Sequence, residues 1–353
     1  MEKHCYVFVH AGAGSHSEKR EKVYKDSMKR ACTLALDLLN SGGSSEAADS
    51  PCTNAGIGSN LTRSGTVQCD ASIMRSKDGA FGSVGAVSAI KNPISAASKL
   101  METESRGQVE FGLITPMMLV GQGAEIWSVK NGVECTSDTQ YHITNDSKNK
   151  YAKYMEIIKD HTQNPISAAI KTQECMQDTV GAICLDLNGN MASGVSSGGI
   201  AIKLEGRVGE AAIYKAGCWA EEFQDKTSRI VIGTSVSGTG EQIIRTSMAQ
   251  KCAETILENH GEPVNQLKKT INSFLDDKYL RKYQSKNVGI IITLSEFLEN
   301  RIVTDLLVGF TTETMAHCYM SNNMTKPKAN ISRNTSFTSN NPSSRMKIEA
   351  FSI

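Results

Sequence analysis

The chain has 353 residues, with 38 Lys and Arg against 37 Asp and Glu, for a formal net charge of +1. A balance this near neutral leaves no electrostatic footprint for direct nucleic-acid or membrane-surface binding, so neither is expected as a partner. No apolar run approaches the roughly 20 residues of a membrane-spanning helix, and the length suits one large domain or two modest ones.

MEKHCYVFVH is charged and then at once strand-like, unlike a secretory leader. YVFVHAGAG reads as a strand ending in a glycine turn at Gly12 and Gly14. A helix is expected over 18–40, where Tyr24, Met28, Ala31, Cys32, Ala35, Leu38 and Leu39 recur at three- and four-residue steps. SGGSS stops it. VQCDASIM alternates as a half-buried strand does. GAFGSVGAVSAI reads as a second strand, and 94–101 and 116–129 as helices. From Thr136 to Asp178 the chain is mostly polar, with a weak helical stretch over Tyr151–Ile158. A structureless segment this long is expected to be a flexible loop with a function.

Apolar order returns at Thr179. Two runs are joined through Asn188-Gly189, a strong hairpin dipeptide whose two central residues need positive φ. RIVIGTSVSGTGEQIIRTSMAQKCAETILE follows as strand, glycine turn and helix. NVGIIITL and TDLLVGFTTE are two further strands. Residues 334–353, rich in Asn and Ser, are expected to form a disordered tail. Strands grouped with helices on each side suggest a layered α/β or αββα arrangement.

The 10 cysteines are scattered, so free thiols in a reducing cytosol or nucleus are expected. No CxxC or HExxH spacing is present, and neither a metal nor another cofactor is expected. The seven histidines are isolated, and each reads as a surface or core residue.

The Asp178–Thr179 step stands where the long polar segment ends. Taken alone, it is a turn residue followed by a strand start. If the chain were cut there, Thr179 would carry a free α-amine with an ordinary pKa of roughly 7.7–8.0. That amine can take the proton of the hydroxyl on its own residue, which makes a nucleophile–base pair. Ser197 in SSGG closes the hairpin that Thr179 opens, and so lies near it in register. SGTGE (Ser237–Glu241) sets a hydroxyl and backbone amides at a strand-to-helix turn, suited to an anion or oxyanion. Arg207, between glycines in EGRVGE, is suited to forking onto a carboxylate. Each has a plainer reading: a strand hydroxyl, a simple turn, a solvated charge.

Taken in order, HAGAG, SPCTNAGIGSNL, CDASIM, GAVSAIKNP, DTVGAICLDLNGN, SSGGIAIKLEGRVGEA and SVSGTGE resemble the N-terminal-nucleophile hydrolases of the plant-type asparaginase family. The resemblance runs from about His4 to about Ser332, without most of 136–175. Within the family the chain is most similar to the threonine-aspartase branch, the taspases. Asp178 stands where plain asparaginases usually have Gly. Ser197 and Ser237 stand where they usually have Thr. Glu210 replaces the Asp of GRxGD that grips a substrate α-amine.

The resemblance implies an α+β fold of the four-layer αββα sandwich type. It implies a proenzyme that cuts itself between Asp178 and Thr179 into an α chain, 1–178, and a β chain, 179–353, within one domain. Thr179 would then attack the carbonyl after a substrate Asp. Asn54 matches a family position near the nucleophile. Ser197 would orient Thr179, and Ser237 with the Gly238 amide would hold the oxyanion. Arg207 would pair with the substrate carboxylate, with Glu210 and Gly240 also on the substrate side. Implied partners are proteins with a Gln-x-Asp-Gly-like motif, nuclear regulators such as the trithorax-type MLL proteins and TFIIA. A second copy is implied too, giving a proenzyme dimer and (αβ)2 after processing. Nucleus and cytoplasm are the expected compartments.

One departure is a helical segment of about three turns, missing near Glu46–Asp49. It keeps a catalytically weak scaffold open as an alternative. Small-molecule asparaginase or isoaspartyl peptidase activity is the other.

Overall fold

The computed structural model describes residues 4–41, 53–108, 110–163, 179–224, 228–299, 301–337 and 345–353. The first part of the chain forms β1 (Tyr6–Gly14), α1 (Glu21–Asn40), β2 (Cys69–Arg75), β3 (Phe81–Val87) and α2 (Pro93–Glu104). It continues through β4 (Met118–Val120), α3 (Gly121–Lys130) and α4 (Asn145–Gln163). From Thr179 onward come β5 (Val180–Leu185), β6 (Met191–Ser197), β7 (Cys218–Gln224) and β8 (Arg229–Gly238). Then follow α5 (Gly240–Thr246), α6 (Met248–Glu258) and α7 (Pro263–Asp276). The chain closes with β9 (Val288–Phe297), β10 (Ile302–Phe310), β11 (Thr314–Ser321), β12 (Lys328–Arg333) and β13 (Lys347–Ser352).

The strands make an eight-stranded sheet, in the order β12-β11-β1-β5-β6-β2-β3-β4, and a five-stranded sheet, β13-β10-β9-β8-β7. β1 is apolar almost throughout because both its faces are covered. Val7, Val9 and Ala11 turn to Met28, Cys32 and Leu36 of α1. Tyr6, Phe8 and Ala13 turn to the second sheet, where Ile183 of β5 also meets Val231, Ile291 and Leu306. The outer face of the second sheet is closed by Cys252 and Ile256 of α6 and by Leu267, Ile271 and Phe274 of α7. α2 closes the first sheet beyond α1. A Cβ on Gly82 would run into the backbone of Ala97 and Met101, so only glycine lets α2 lie this close. The result is the expected αββα sandwich.

Several elements differ from the sequence reading. Residues 18–20 form a separate 3-10 turn before α1, and the apolar face takes Leu36 in place of Leu38, which is 40% exposed. Leu36 continues the four-residue ridge of Tyr24, Met28 and Cys32, whereas Leu38 points away from it. The expected helix over 116–129 begins only at Gly121, after β4 has paired parallel to β3.

The expected flexible loop carries the 19-residue helix α4. Its start is fixed by a reciprocal cap: Thr144 N–H donates to Ser147 Oγ, and Ser147 N–H donates to Thr144 Oγ1. Tyr151 anchors it by donating to Arg63 O at 3.1 Å. Residues 164–178 lie outside the described residues.

The expected disordered tail carries β13, which pairs antiparallel with β10 and buries part of Phe351 against the second sheet. Cross-strand pairing orders a segment whose composition is mostly polar. At the Asn188-Gly189 hairpin only Gly189 has positive φ, at 77°. Asp186 takes the other role: its Oδ1 accepts from Asn188 N and Asn190 N, each at 2.8 Å.

Between α1 and α2 the helix-side floor of the first sheet carries a cavity among the described residues. Ala182, Ala192 and Gly194 line an apolar cavity there, walled by Met28, Ile73 and Ile94. Ser196, whose buried hydroxyl has no hydrogen-bond partner among the described residues, also lines it. The departure near Glu46–Asp49 lies outside the described residues.

Candidate active site

Thr179 enters β5 and is 2% exposed. The antiparallel register of β5 and β6 matches Val180 with Ser196, which sets Thr179 beside Ser197. Thr179 Oγ1 lies 3.0 Å from Ser197 Oγ and 3.0 Å from Glu210 Oε1. Ser197 Oγ accepts from Gly199 N–H at 3.0 Å. One hydroxyl proton serves one acceptor, and a carboxylate can only accept. Thr179 Oγ1 therefore faces two acceptors, Ser197 Oγ and the Glu210 carboxyl, and its single proton serves one of them at a time.

Asn54 holds the turn behind this chain. Its Nδ2 donates to Gly199 O at 2.8 Å, its Oδ1 accepts from Asn60 N at 2.8 Å, and its carbonyl accepts from Gly198 N at 2.7 Å. Gly198 must be glycine, because a Cβ there would stand 2.5 Å from Asn54 Oδ1.

Arg207 reaches the cavity from the following loop. Its Nε and Nη2 donate to the two oxygens of Glu241, both at 2.9 Å. Its Nη1 is buried without a partner among the described residues. Burial works against the Arg207 charge, but Glu241, together with Glu210 and Asp70, outweighs it and holds the guanidinium's pKa above its ordinary value. Glycines make the room: a Cβ on Gly199 or Gly209 would lie 2.8 Å from Arg207 Nη1. A Cβ on Gly240 would lie 2.6 Å from both Arg207 Nη2 and Glu210 Oε2.

Glu210 sits in a 3-10 turn and is 2% exposed. Burial pushes its carboxyl up to about 7, against the pull of Arg207 and of the Thr179 hydrogen bond. Asn54, Thr179, Ser197, Arg207, Glu210 and Gly238 thus line one small cavity. Gly238 ends β8 at φ 141°, where a Cβ would strike Asn287 O. The Ser237 hydroxyl does not line this cavity; its Oγ accepts from Ala13 N–H at 3.2 Å. Asp178 lies outside the described residues.

Three groups here were not singled out from the sequence. Asp70 of β2 accepts from Ala86 N–H at 2.9 Å and from Gly209 N–H at 2.9 Å, tying the Arg207 loop to the sheet. Ala86 is held at φ 51°, a left-handed conformation that its bond to Asp70 supports. Lys203 Nζ stands 4.0 Å from Asp70 and donates to Gln68 O at 2.6 Å. Burial pushes Asp70 up and Lys203 down, each opposed by the other. The third is His10, against the Thr179 main chain. Burial lowers it to about 3, so it is neutral. Its Nδ1 accepts from Gly12 N–H at 3.3 Å, leaving Nε2 to pair with Ser235 Oγ at 2.9 Å. An Asp inside the strand-like CDASIM was the available signal for Asp70. A lone His in an apolar strand offers none.

Among known proteins, the chain matches the family described as Asparaginase over residues 3–326. It is 32% identical over 303 residues to the isoaspartyl peptidase/L-asparaginase of Bos taurus, covering 82% of this chain and 86% of that one. It is 29% identical over 348 residues to a plant-type L-asparaginase of Pyrococcus horikoshii, covering 92% and 99%. The isoaspartyl peptidase of Escherichia coli is 29% identical over 283 residues, covering 71% and 81%.

Proposed function

The chain belongs to the asparaginase family of N-terminal-nucleophile hydrolases, and from that premise we propose a self-activating threonine hydrolase that cuts polypeptides after aspartate. The observation that carries the reading is Arg207 Nη1, a buried cationic N–H with no hydrogen-bond partner among the described residues, in the same cavity as the Thr179 hydroxyl. A substrate aspartyl carboxylate satisfies that donor and brings its own carbonyl to Thr179. Self-cleavage between Asp178 and Thr179 frees the Thr179 amine. That amine, when neutral, takes the hydroxyl proton directly or through a water. Ser197 orients Thr179, and the Gly238 amide receives the developing oxyanion.

A second reading, hydrolysis of isoaspartyl dipeptides or asparagine, draws support from the names of the relatives and from Glu210, a possible seat for a free α-amine. Two features favour the polypeptide reading. The residue before Thr179 is Asp178, so the proposed self-cut would itself be a cut after Asp. In addition, Glu210 is engaged with Thr179 and pushed up to about 7, so no full anion waits for an ammonium at neutral pH.

We also propose self-association, supported by exposed Phe111, Ile114, Ile126 and Val129 beside the edge strand β4. Ile126→Glu should then lower the mass measured by sedimentation.

The deciding experiment has two parts. The wild-type chain should resolve on a gel into 1–178 and 179–353, and Thr179→Ala should stay whole. The processed enzyme should cut a Gln-x-Asp-Gly peptide and leave β-aspartyl dipeptides intact. The reverse preference establishes the small-substrate reading, and no activity on either leaves a scaffold.

A further inference from the structure

In the uncut chain the Thr179 nitrogen is an amide and cannot act as a base, yet Thr179 Oγ1 must still lose its proton to attack. The described residues bonded to that oxygen are Ser197 and Glu210. Ser197 already accepts from Gly199 N–H, and a neutral hydroxyl is a far weaker base than a carboxylate. His10 pairs with Ser235, Asp70 with Ala86 and Gly209, and Lys203 with Gln68.

We propose that Glu210 is the general base of the first, self-cleaving step, a catalytic role separate from substrate binding. This rests on the self-cleavage reading above. Glu210 carboxylate removes the Oγ1 proton, and Oγ1 bonds to the carbonyl carbon that Thr179 shares with the preceding residue. As the tetrahedral centre collapses, the C–N bond breaks and its electron pair stays on nitrogen. That nitrogen takes the proton back from Glu210, giving a free amine and an ester at Oγ1. One water then hydrolyses the ester, restoring the Thr179 hydroxyl and leaving a carboxyl on the other chain. The freed amine, on the same residue as Oγ1, takes over as base for every later turnover.

The electrostatics suit the task. Buried Glu210 is half ionised near neutral pH, raised to about 7 by burial and restrained by Arg207. Asp70 works in the upward direction with burial. Lys203 and Glu241 stand behind Asp70 and Arg207. His10, lowered to about 3, supplies no titration near neutrality.

The test follows first-order conversion of the full chain, made by cell-free translation, in buffers from pH 5.5 to 9. The wild-type rate should climb about tenfold per pH unit below 7 and then level off. Glu210→Gln should slow the cut at least about 100-fold and lose that limb. Glu210→Ala, which opens space for a small acid, should be accelerated by added formate in proportion to its concentration. A Glu210→Gln rate within threefold of wild type, with the limb intact, overturns the proposal. Should that variant not fold, the wild-type profile decides: a flat or steadily rising rate without a plateau near 7 also overturns it. Thr179→Ala separates the two ideas. If it cuts like wild type, self-cleavage itself is wrong; if it stays whole while Glu210→Gln cuts normally, only the role of Glu210 fails.

Discussion

Gly240→Ala separates stability from chemistry. Gly240 opens α5, and a methyl there would stand 2.6 Å from Arg207 Nη2 and from Glu210 Oε2. Carbon and nitrogen or oxygen settle near 3.5 Å, so both charged ends must retreat by about 1 Å. Each belongs to a flexible side chain, and the fold absorbs the shift. The backbone contact, Glu210 N at 3.3 Å, needs only a few tenths of an ångström. Alanine in place of glycine in a helix contributes about 0.5–1 kcal/mol. On the uncut Thr179→Ala background, Gly240→Ala should therefore melt no lower than its parent, and by calorimetry about 1–2 °C higher. In the active chain, displacing both groups by about 1 Å should slow self-cleavage and turnover by about 100-fold. Gel densitometry of cutting and peptide kinetics read this loss. A variant that cuts at the wild-type rate, or that melts many degrees lower, would show that Gly240 does not hold that space for Arg207 and Glu210.

Glu241→Gln releases the Arg207 fork, so KM for a substrate with an aspartyl carboxylate should fall about three- to tenfold with kcat nearly unchanged; a higher KM in steady-state kinetics would mean that Glu241 aligns Arg207. Glu210 should also mark the pH dependence of stability. Its ordinary value is 4.5 and the fold raises it to about 7. The protonated form is thus the one the fold favours, a contribution present below 4.5 and lost as pH rises to about 7. On the Thr179→Ala background, Glu210→Gln should gain on its parent by up to about 3 kcal/mol between pH 4.5 and 8 in urea titrations. An advantage that does not change with pH refutes this. Asn54→Ala leaves the Asn60 N–H without its acceptor, which costs about 1–3 kcal/mol, and loosens the turn behind Ser197. Denaturation midpoints should drop accordingly, and self-cleavage should slow with them.

The parts of the fold legible in the sequence were those with a strong local signal. The buried runs of β1, β5, β8 and β9 announce themselves because both faces are covered. The α1 period was clear apart from Leu38, since a three-residue step from Ala35 looks as good on paper as the four-residue ridge that Leu36 extends. α4 was hidden by its polar composition, and its signal was the small Thr144–Ser147 cap, easily passed over. β13 was hidden for a different reason: KIEAFSI is ordered by its ladder with β10, a partner far away in sequence. At the site, Thr179, Ser197, Asn54, Arg207, Glu210 and Gly238 could be named and are brought together. What could not be read was who holds whom. Arg207 is forked onto Glu241, Glu210 reaches Thr179, Ser237 turns to Ala13, and Asp70 ties the loop to the sheet. Those pairings depend on packing between segments from 31 residues apart, as in Thr179 and Glu210, to 224 apart, as in Ala13 and Ser237.

The order of the eight-stranded sheet has a consequence for the life of a cut molecule. β1 to β4 precede Thr179 and all other strands follow it, yet β1 is laced between β11 and β5, and β2 is paired with β6. The two fragments are therefore woven through one sheet, and dilution alone cannot part them without tearing backbone ladders on both sides of β1. On the proposed self-cleavage, folding happens once, as a single connected chain. After the cut, any molecule that does unfold has to find a second polypeptide to return, so its recovery becomes concentration-dependent and slow. An enzyme processed as proposed would then be preserved by the height of its unfolding barrier, and its lifetime would be a rate and no longer an equilibrium.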